Sequence, residues 1–239
     1  SLNDLLGKTA VVAIVNVNAA SFDAAGKGTL ASNISKVDAI TSLALASTED
    51  ASEIGALLPV STATTAVATG MASDQLSALG AGASFIAADG ITGTLAIAVA
   101  VTDLDALLGK TAVAATVNVD ATGFGTAGKS TLSSNISKVD AIASLSLVST
   151  DVTGVIANLL TKASAAVANG SSMSSAQLSA LGFGASSIAA DGITGTLAID
   201  VAVTSLNGLL GKTAVAAIVN VNAFSFDAAG KGTLSSNID

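Results

Sequence analysis

The stretch Leu5-Leu6-Gly7-Lys8-Thr9-Ala10 decides the fold, because the chain repeats it twice at a fixed distance. It returns at 107–112 and at 209–214, which gives a period of 102 residues. Roughly two-thirds of the positions are identical between the first two copies, and such a period is typical of an array whose units cover each other's apolar edges. We therefore predict repeat copies at 1–102 and 103–204 and a partial copy at 205–239, in one continuous array.

Each copy divides further into units of about 25 residues, which we call coils. The sequence VDAI at 37–40 is echoed by ADGI at 88–91, about half a copy later. Alternating apolar residues predict one strand in every coil. The strands are predicted to begin near residues 10, 38, 64, 89, 112, 140, 165, 191 and 214.

The inward face of these strands can be read from differences between the copies. Ala98 becomes Asp200 in the next copy, whereas its neighbours Val99 and Val101 stay unchanged, so Ala98 is predicted to face outward. The same argument keeps Val113 and Val215 on the core face of the first strand. The residues predicted to be buried are Val15, Val17, Leu43, Leu45, Leu95 and Ile97.

Short helices are predicted between the strands. Thr48, Ser73 and Thr102 are each followed by acidic residues and then by an apolar stripe, which is the order of a helix N-terminus. The segment 22–34 contains Gly26 and Gly28, each of which weakens a helix by about 1 kcal/mol, so it is predicted as one helical turn and an ordered loop. The resulting fold class is an α/β solenoid of strand and short helix, with nine coils and a parallel sheet.

Composition excludes most catalytic chemistry. The chain has no Cys and no His, which leaves no thiolate, no imidazole base and no common zinc site. The net charge is −8, and only 3% of the residues are aromatic, which disfavours nucleic-acid binding. No apolar run approaches the ~20 residues of a membrane-spanning helix. The sequence therefore predicts a protein that is not an enzyme, with no nucleic-acid partner and no membrane span.

Four periodic aspartates are the first candidates for a binding role. Asp38, Asp89, Asp140 and Asp191 recur at about half a copy, and stacked strands would hold them ~10 Å apart, too far to share one calcium ion. We interpret each as a cap on the turn that enters its strand. The alternative is calcium between neighbouring loops, for which Asp103 and Asp105 are the candidate ligands; no other cofactor is predicted.

The segment 123–130, GFGTAGKS, matches the phosphate-binding loop pattern and follows a predicted strand. The equivalent segments around Lys27 and Lys231 lack the pattern, so we favour a structural turn over a nucleotide site. Asn33, Asn135 and Asn169 match the glycosylation pattern. For Asn33 and Asn135 a hydrogen bond to backbone at a repeated bend is the favoured interpretation.

The motifs ISKVDAI at 34–40 and 136–142, and DGITGTL at 89–95 and 191–197, resemble repeats of very large bacterial surface proteins, notably those of marine cyanobacteria. Ile40-x-x-Leu43-x-Leu45 resembles the core of a leucine-rich repeat, with Thr48 where such repeats have Asn. The first resemblance implies a structural module of a long extracellular or cell-surface protein, forming a filament, sheath, surface layer or adhesin stalk. Its expected partners are further copies of the repeat, covalent or head-to-tail, and the chain is expected to be part of a longer protein. The alternative is an extracellular module that binds glycan or calcium, with Phe22, Phe124 and Phe226 predicted as core anchors rather than sugar-stacking rings.

Overall fold

The computed structural model describes residues 2–10, 14–97, 103–199 and 206–238 and shows an α/β chain in which short helices alternate with strands. It forms two compact units, unit 1 (Ser1–Asn118) and unit 2 (Val119–Asp239). The elements of unit 1 are α1 (Leu2–Lys8), β1 (Asn16–Ala19), α2 (Ala24–Ser32), β2 (Ala39–Leu45), α3 (Ala51–Leu57), β3 (Thr64–Val67), α4 (Ser73–Ala81), β4 (Ile86–Thr92), β5 (Thr94–Ile97) and α5 (Leu104–Gly109). Strand β6 (Thr116–Ala121) contains the boundary, and unit 2 continues with α6 (Thr126–Ser134), β7 (Val139–Leu147), α7 (Thr153–Leu160), β8 (Ala166–Asn169), α8 (Ser175–Phe183), β9 (Ile188–Thr194), β10 (Leu197–Ile199), α9 (Leu206–Leu210), β11 (Val219–Val221) and α10 (Ala228–Ser235).

Neighbours in sequence are neighbours in space within each unit. In unit 1 the strands follow the order β1-β2-β3-β4, and every pair in this row is parallel. In unit 2, β7, β8 and β9 are consecutive parallel neighbours, and β10 pairs with β11 in parallel. Consecutive helices also contact each other, α1 through α5 in unit 1 and α6 through α10 in unit 2. The parallel α/β character predicted from the sequence is therefore confirmed.

The core is formed by one face of the strands and the apolar stripe of the helices. Leu43, Leu45, Leu95 and Ile97 are buried, as predicted. The helical layer contributes the buried side chains of Ile54, Leu57 and Leu58 to this core. Val15 and Val17 are only half-buried, which departs from the prediction. Their equivalents in the second copy, Val117 and Val119, are fully buried, so the side-chain type fits a core position.

Four of the predicted strand positions are accurate to one residue, those of β2, β3, β7 and β8. The predicted starts at 10, 112 and 214 are wrong, because β1, β6 and β11 begin four to six residues later. A backbone hydrogen bond from the N–H of Ala115 to the carbonyl of Ala112 closes a turn before β6, and Ala217 bonds Ala214 before β11. This turn interrupts the alternation, and it leaves Val113 and Val215 exposed rather than buried. The predicted faces of Ala98, Val99, Val101 and Asp200 lie outside the described residues.

The helices differ from the sequence prediction at their starts. Asp50, not Thr48, caps α3: its carboxylate accepts the N–H of Glu53, and the Glu53 side chain accepts the N–H of Asp50. The segment predicted as one helical turn and an ordered loop contains the nine-residue helix α2, capped by Asp23. Gly28 in this helix approaches α3 so closely that an added Cβ would lie 2.6 Å from Oε1 of Glu53. The helix forms in spite of its glycines because Asp23 caps its N-terminus and Leu30 is fully buried in the core.

Candidate functional site

The candidate calcium ligands lie at the start of α5. Asp103 is the residue before this helix, and Asp105 lies in its first turn. Among the described residues, no group of three or more His, Cys, Asp or Glu side chains could hold a metal ion. Calcium takes six to eight oxygen ligands. These two aspartates by themselves would leave most of the coordination shell to water.

The four periodic aspartates are all exposed and occupy two kinds of backbone position. Asp38 immediately precedes β2, and Asp140 is the second residue of β7, so these two lie at strand entries, while their capping role stays a prediction. Asp89 and Asp191 lie inside β4 and β9, in left-handed conformations with φ of 52° and 53°. For them the prediction of a turn entering the strand is wrong. They form part of an irregularity at which the pairing register with the preceding strand shifts.

The segment with the phosphate-binding pattern directs its lysine inward. Lys129 lies in α6 and is only 3% exposed, with its Nζ 2.7 Å from Oδ2 of Asp151. Lys27, whose loop lacks the pattern, is buried in the same way, and its Nζ lies 3.0 Å from Oε1 of Glu49. The ion pair of this lysine supports a structural role over nucleotide binding, although residues 126–130 belong to helix α6 and not to a turn.

Both oxygens of the buried Glu49 carboxylate accept hydrogen bonds. Oε1 accepts from the Lys27 ammonium at 3.0 Å and from the Thr48 hydroxyl at 2.6 Å. Oε2 accepts the Ala46 N–H at 2.7 Å. Burial raises the pKa of Glu49, but the hydrogen bonds from Thr48, Ala46 and Lys27 and the charge of Lys27 together outweigh it and lower the pKa below the ordinary 4.5. The carboxylate is therefore held in its charged form inside unit 1.

In unit 2 the shorter Asp151 replaces the glutamate and is bonded less completely. Its Oδ2 accepts both the Lys129 ammonium and the Val148 N–H, at 2.7 and 2.9 Å. Its Oδ1 is buried and has no hydrogen-bond partner among the described residues. The Thr150 hydroxyl, equivalent to the one that bonds Glu49, instead lies 3.0 Å from the hydroxyl of Thr126. The replacement has thus left one carboxylate oxygen unsatisfied.

A glutamine from the next helix holds the backbone at each carboxylate. Gln75 donates through Nε2 to the backbone carbonyls of Glu49 and Ser47. Gln177 donates to the backbone carbonyl of Asp151 at 2.6 Å and to that of Ser149 at 3.0 Å. We call each set a buried tie: Lys27–Glu49–Gln75 in unit 1 and Lys129–Asp151–Gln177 in unit 2. Each tie joins three consecutive helical segments. Its hydrogen bonds connect residues that lie 22 to 28 positions apart in the sequence.

The lysine of the repeated LLGKTA stretch makes a second contact between successive strand–helix segments. Lys110 donates to the carbonyl of Ile86 at 2.9 Å, and Lys212 donates to that of Ile188 at 2.9 Å. These carbonyls belong to the first residue of β4 and of β9. The lysine is therefore a structural donor in both copies.

The glycosylation-pattern asparagines at 33 and 135 are helix C-caps. Their side-chain amides donate to the carbonyl four residues earlier, at 2.9 and 3.0 Å, which confirms the predicted backbone role. Asn169 accepts the N–H of Ser171 at 3.0 Å. Of the three periodic phenylalanines, Phe226 is buried, whereas Phe22 and Phe124 are half-buried.

Acid should weaken unit 1 through Glu49. Because the folded-state pKa is lowered, its contribution to the free energy of unfolding is complete above pH 4.5 and is lost as the pH falls through the folded-state pKa. Glu49→Gln should destabilise at pH 7 by about 1–3 kcal/mol and make the loss between pH 7 and pH 3 smaller. Urea unfolding at both pH values tests this, with Asp38→Asn as the exposed-carboxylate control. A Glu49→Gln variant with the full acid dependence of the unchanged chain would contradict it.

Exchanging two residues should rebuild the unit 1 tie in unit 2. The double variant Asp151→Glu/Thr126→Ala has the residues that unit 1 has at the equivalent positions, Glu49 and Ala24. Removing the Thr126 hydroxyl frees the Thr150 hydroxyl to donate to the new carboxylate, as Thr48 donates to Glu49. We expect the double variant to be more stable than the sum of the single changes by about 1 kcal/mol, the worth of one buried hydrogen bond. Denaturant unfolding of the four chains measures this coupling, and strict additivity would contradict it.

The buried ties could not be assigned from the sequence, although a signal for them was present. The repeat places a lysine at 27, 129 and 231 and a glutamine at 75 and 177. It also places an acidic residue at both 49 and 151. Sequence reasoning placed Glu49 in the first turn of a helix, because acidic residues are usual there. Its burial depends on a lysine 22 residues earlier, which is a tertiary contact.

Comparison of the chain with protein-family models and with curated proteins gives no match. Within the described residues, none of the helices combines the length and apolar character needed to cross a membrane. The functional conclusion therefore rests on the repeat and on the geometry of the buried ties.

Proposed function

We propose that the chain is a structural repeat module of a long extracellular protein, folded as a solenoid of about 25-residue coils. The proposal is carried by one observation: the same buried tie occurs in both units, at residues 102 apart. Ties of this kind fasten one coil to the next two and contain no group directed to a ligand. Such a contact is useful in an array, where stability depends on the interfaces between neighbouring repeats.

The extracellular assignment rests on the resemblance of the repeated motifs to bacterial surface proteins. The low charged fraction of 11% and the absence of cysteine accord with a packed, redox-insensitive structural element. Filament, sheath, surface layer and adhesin stalk are the assemblies that fit such a module. In each, the partners are further copies of the repeat, and no catalytic step is required of the chain.

Length measurements on tandem chains test the solenoid. Each added 102-residue copy should lengthen the particle by a constant increment of roughly 20 Å, because four strands ~4.8 Å apart are added. Small-angle scattering on chains with zero, one and two added copies measures the maximum dimension. Compaction into separate globules, with no constant increment, would contradict the solenoid. Immunogold imaging of intact cells that make the protein then tests the location, since an intracellular label would overturn the extracellular proposal.

A binding module is the second candidate, and one surface favours it. Phe183 is 70% exposed and lies beside an apolar groove between α7 and α8. The equivalent residue in unit 1 is Ala81. An exposed aromatic ring next to small residues can stack on a sugar. Glycan-array binding that is lost in Phe183→Ala would favour this function over a purely structural one.

A further inference from the structure

One carboxylate oxygen of the unit 2 tie has no protein donor. Asp151 is 1% exposed, and its Oδ1 is buried without a hydrogen-bond partner among the described residues. Buried polar groups are almost always bonded, either to protein or to an ordered water molecule. The neighbouring Lys129 is 3% exposed and carries three N–H donors, of which one bonds Oδ2 of Asp151 in the described part of the chain. The tie therefore holds an unsatisfied acceptor beside a cation with donors to spare.

The unit 1 tie shows how the same site is satisfied by protein alone. Oε1 of Glu49 accepts from Lys27 at 3.0 Å and from the Thr48 hydroxyl at 2.6 Å, and Oε2 accepts the Ala46 N–H at 2.7 Å. Unit 2 keeps the lysine and the backbone donor, which both bond Oδ2 of Asp151. The difference between the two ties is thus confined to the second carboxylate oxygen.

Two sequence differences account for this oxygen. Asp151 is one methylene group shorter than the glutamate at the equivalent position, and it meets the lysine and the backbone donor through a single oxygen. Thr126 replaces Ala24, and its hydroxyl lies 3.0 Å from that of Thr150, so the donor equivalent to Thr48 is engaged elsewhere. The replacements remove one donor and one methylene group. A water molecule supplies a donor and occupies about 30 Å³, close to the volume of a methylene group.

We propose that the unit 2 tie binds one ordered water molecule, which donates a hydrogen bond to Oδ1 of Asp151 and accepts one from the Lys129 ammonium. Buried waters are held by two to four polar partners, and these two groups meet that requirement. The charges of the site select water over an ion, because the ammonium repels a second cation and the carboxylate repels an anion. A neutral ligand that both donates and accepts satisfies the two groups at once.

The bound water makes the shorter carboxylate equivalent to the longer one. In unit 1 the lysine and the second carboxylate oxygen belong to one fully bonded cluster of protein groups. In unit 2 the lysine reaches the second oxygen through the water, and a water-mediated hydrogen bond is nearly as favourable as a direct one. The repeat therefore tolerates either acidic residue at this position. The water site is independent of the extracellular role proposed above.

Transfer of magnetisation from water to backbone amides tests the site by NMR on the isotope-labelled 239-residue chain. The Val148 N–H donates to Asp151 at 2.9 Å and therefore reports on the site. The Ala46 N–H is the matched control, because it bonds Glu49 in the same way and has the same kinds of exchangeable lysine and threonine protons beside it. We expect a direct dipolar cross-peak with water at Val148, with the sign of a bound molecule. At Ala46 we expect only transfer relayed by the exchangeable protons.

Exchanging the residues between the units should move this signal. Asp151→Glu/Thr126→Ala gives unit 2 the residues of unit 1 and should abolish the cross-peak. The reciprocal variant Glu49→Asp/Ala24→Thr should create one at the control amide. Deuterium relaxation dispersion of the solvent gives a second readout. Its amplitude should fall by one long-lived water molecule in the first variant and rise by one in the second.

Equal cross-peaks at Val148 and Ala46 would overturn the water site, since relayed exchange would then explain both. A cross-peak that persists unchanged in Asp151→Glu/Thr126→Ala would overturn it as well. A crystal structure with the Thr150 hydroxyl turned onto Oδ1, in place of a solvent peak between Oδ1 and the lysine, is the third contrary result. The comparison of the two amides within the unchanged chain needs no variant, so it decides the matter even where a variant does not fold.

Discussion

Replacing Lys129 with methionine should lower the free energy of unfolding by about 3–5 kcal/mol, because it leaves the Asp151 carboxylate buried without its cation. Asp151 is 1% exposed, and its Oδ1 already lacks a hydrogen-bond partner among the described residues. The Val148 N–H would be the remaining donor to the carboxylate. Methionine preserves most of the side-chain volume, so the loss reports the charge rather than a cavity. Urea unfolding followed by circular dichroism measures it.

The chain supplies its own control for this substitution. Lys231→Met changes the equivalent residue of the third copy, which is exposed, and should alter stability by no more than about 0.5 kcal/mol. The double variant Lys129→Met/Asp151→Leu removes both charges and should recover most of the loss, because apolar side chains can replace a buried ion pair at little cost. Equal losses for the two lysine variants would show that Lys129 has no special role.

The class of fold could be predicted because it depends on local patterns that the sequence repeats. Alternation in 39–45 and 139–147 marks strands with a buried face, and the same pattern appears in several copies. Comparing the copies placed Leu95 on the inward face of its strand, which is confirmed, but the same comparison was wrong for Val113 and Val215, which are exposed. The comparison therefore succeeds where the strand alternates regularly and fails where a turn precedes it, as at Ala112–Ala115.

The details that failed depend on contacts distant in sequence or on backbone geometry. Helix α2 forms in spite of two glycines because Asp23 caps it and Leu30 is buried by tertiary packing. The bulge at Asp89 requires a left-handed residue followed by Gly90, whose added Cβ would lie 2.9 Å from the carbonyl oxygen of Ala87. Neither the packing of α2 nor the bulge at Asp89 changes the pattern of apolar residues in the sequence. Asp103 and Asp105 were candidates from charge alone, whereas the groups that the structure brings together are Lys27, Glu49 and Gln75 and their equivalents.

Leu95→Ala should cost about 2–5 kcal/mol, the range for deleting a buried leucine side chain. Leu95 is fully buried in β5, which packs against α4, where Leu76 and Leu79 are also fully buried. Its equivalent Leu197 is fully buried in β10, so the same substitution there should have a similar cost. Denaturant unfolding of both variants measures the two losses.

The exposed neighbour on the same strand tests whether the loss belongs to the buried face. Ala96 lies between Leu95 and Ile97 and is exposed. Because Ala96→Thr adds atoms on the solvent side and a residue type that strands favour, it should change stability by no more than about 0.5 kcal/mol. If Ala96→Thr were the costly change and Leu95→Ala nearly neutral, the two faces of β5 would be reversed. The core would then lie on the side that the structure leaves to solvent, and the α/β layering of unit 1 would be wrong.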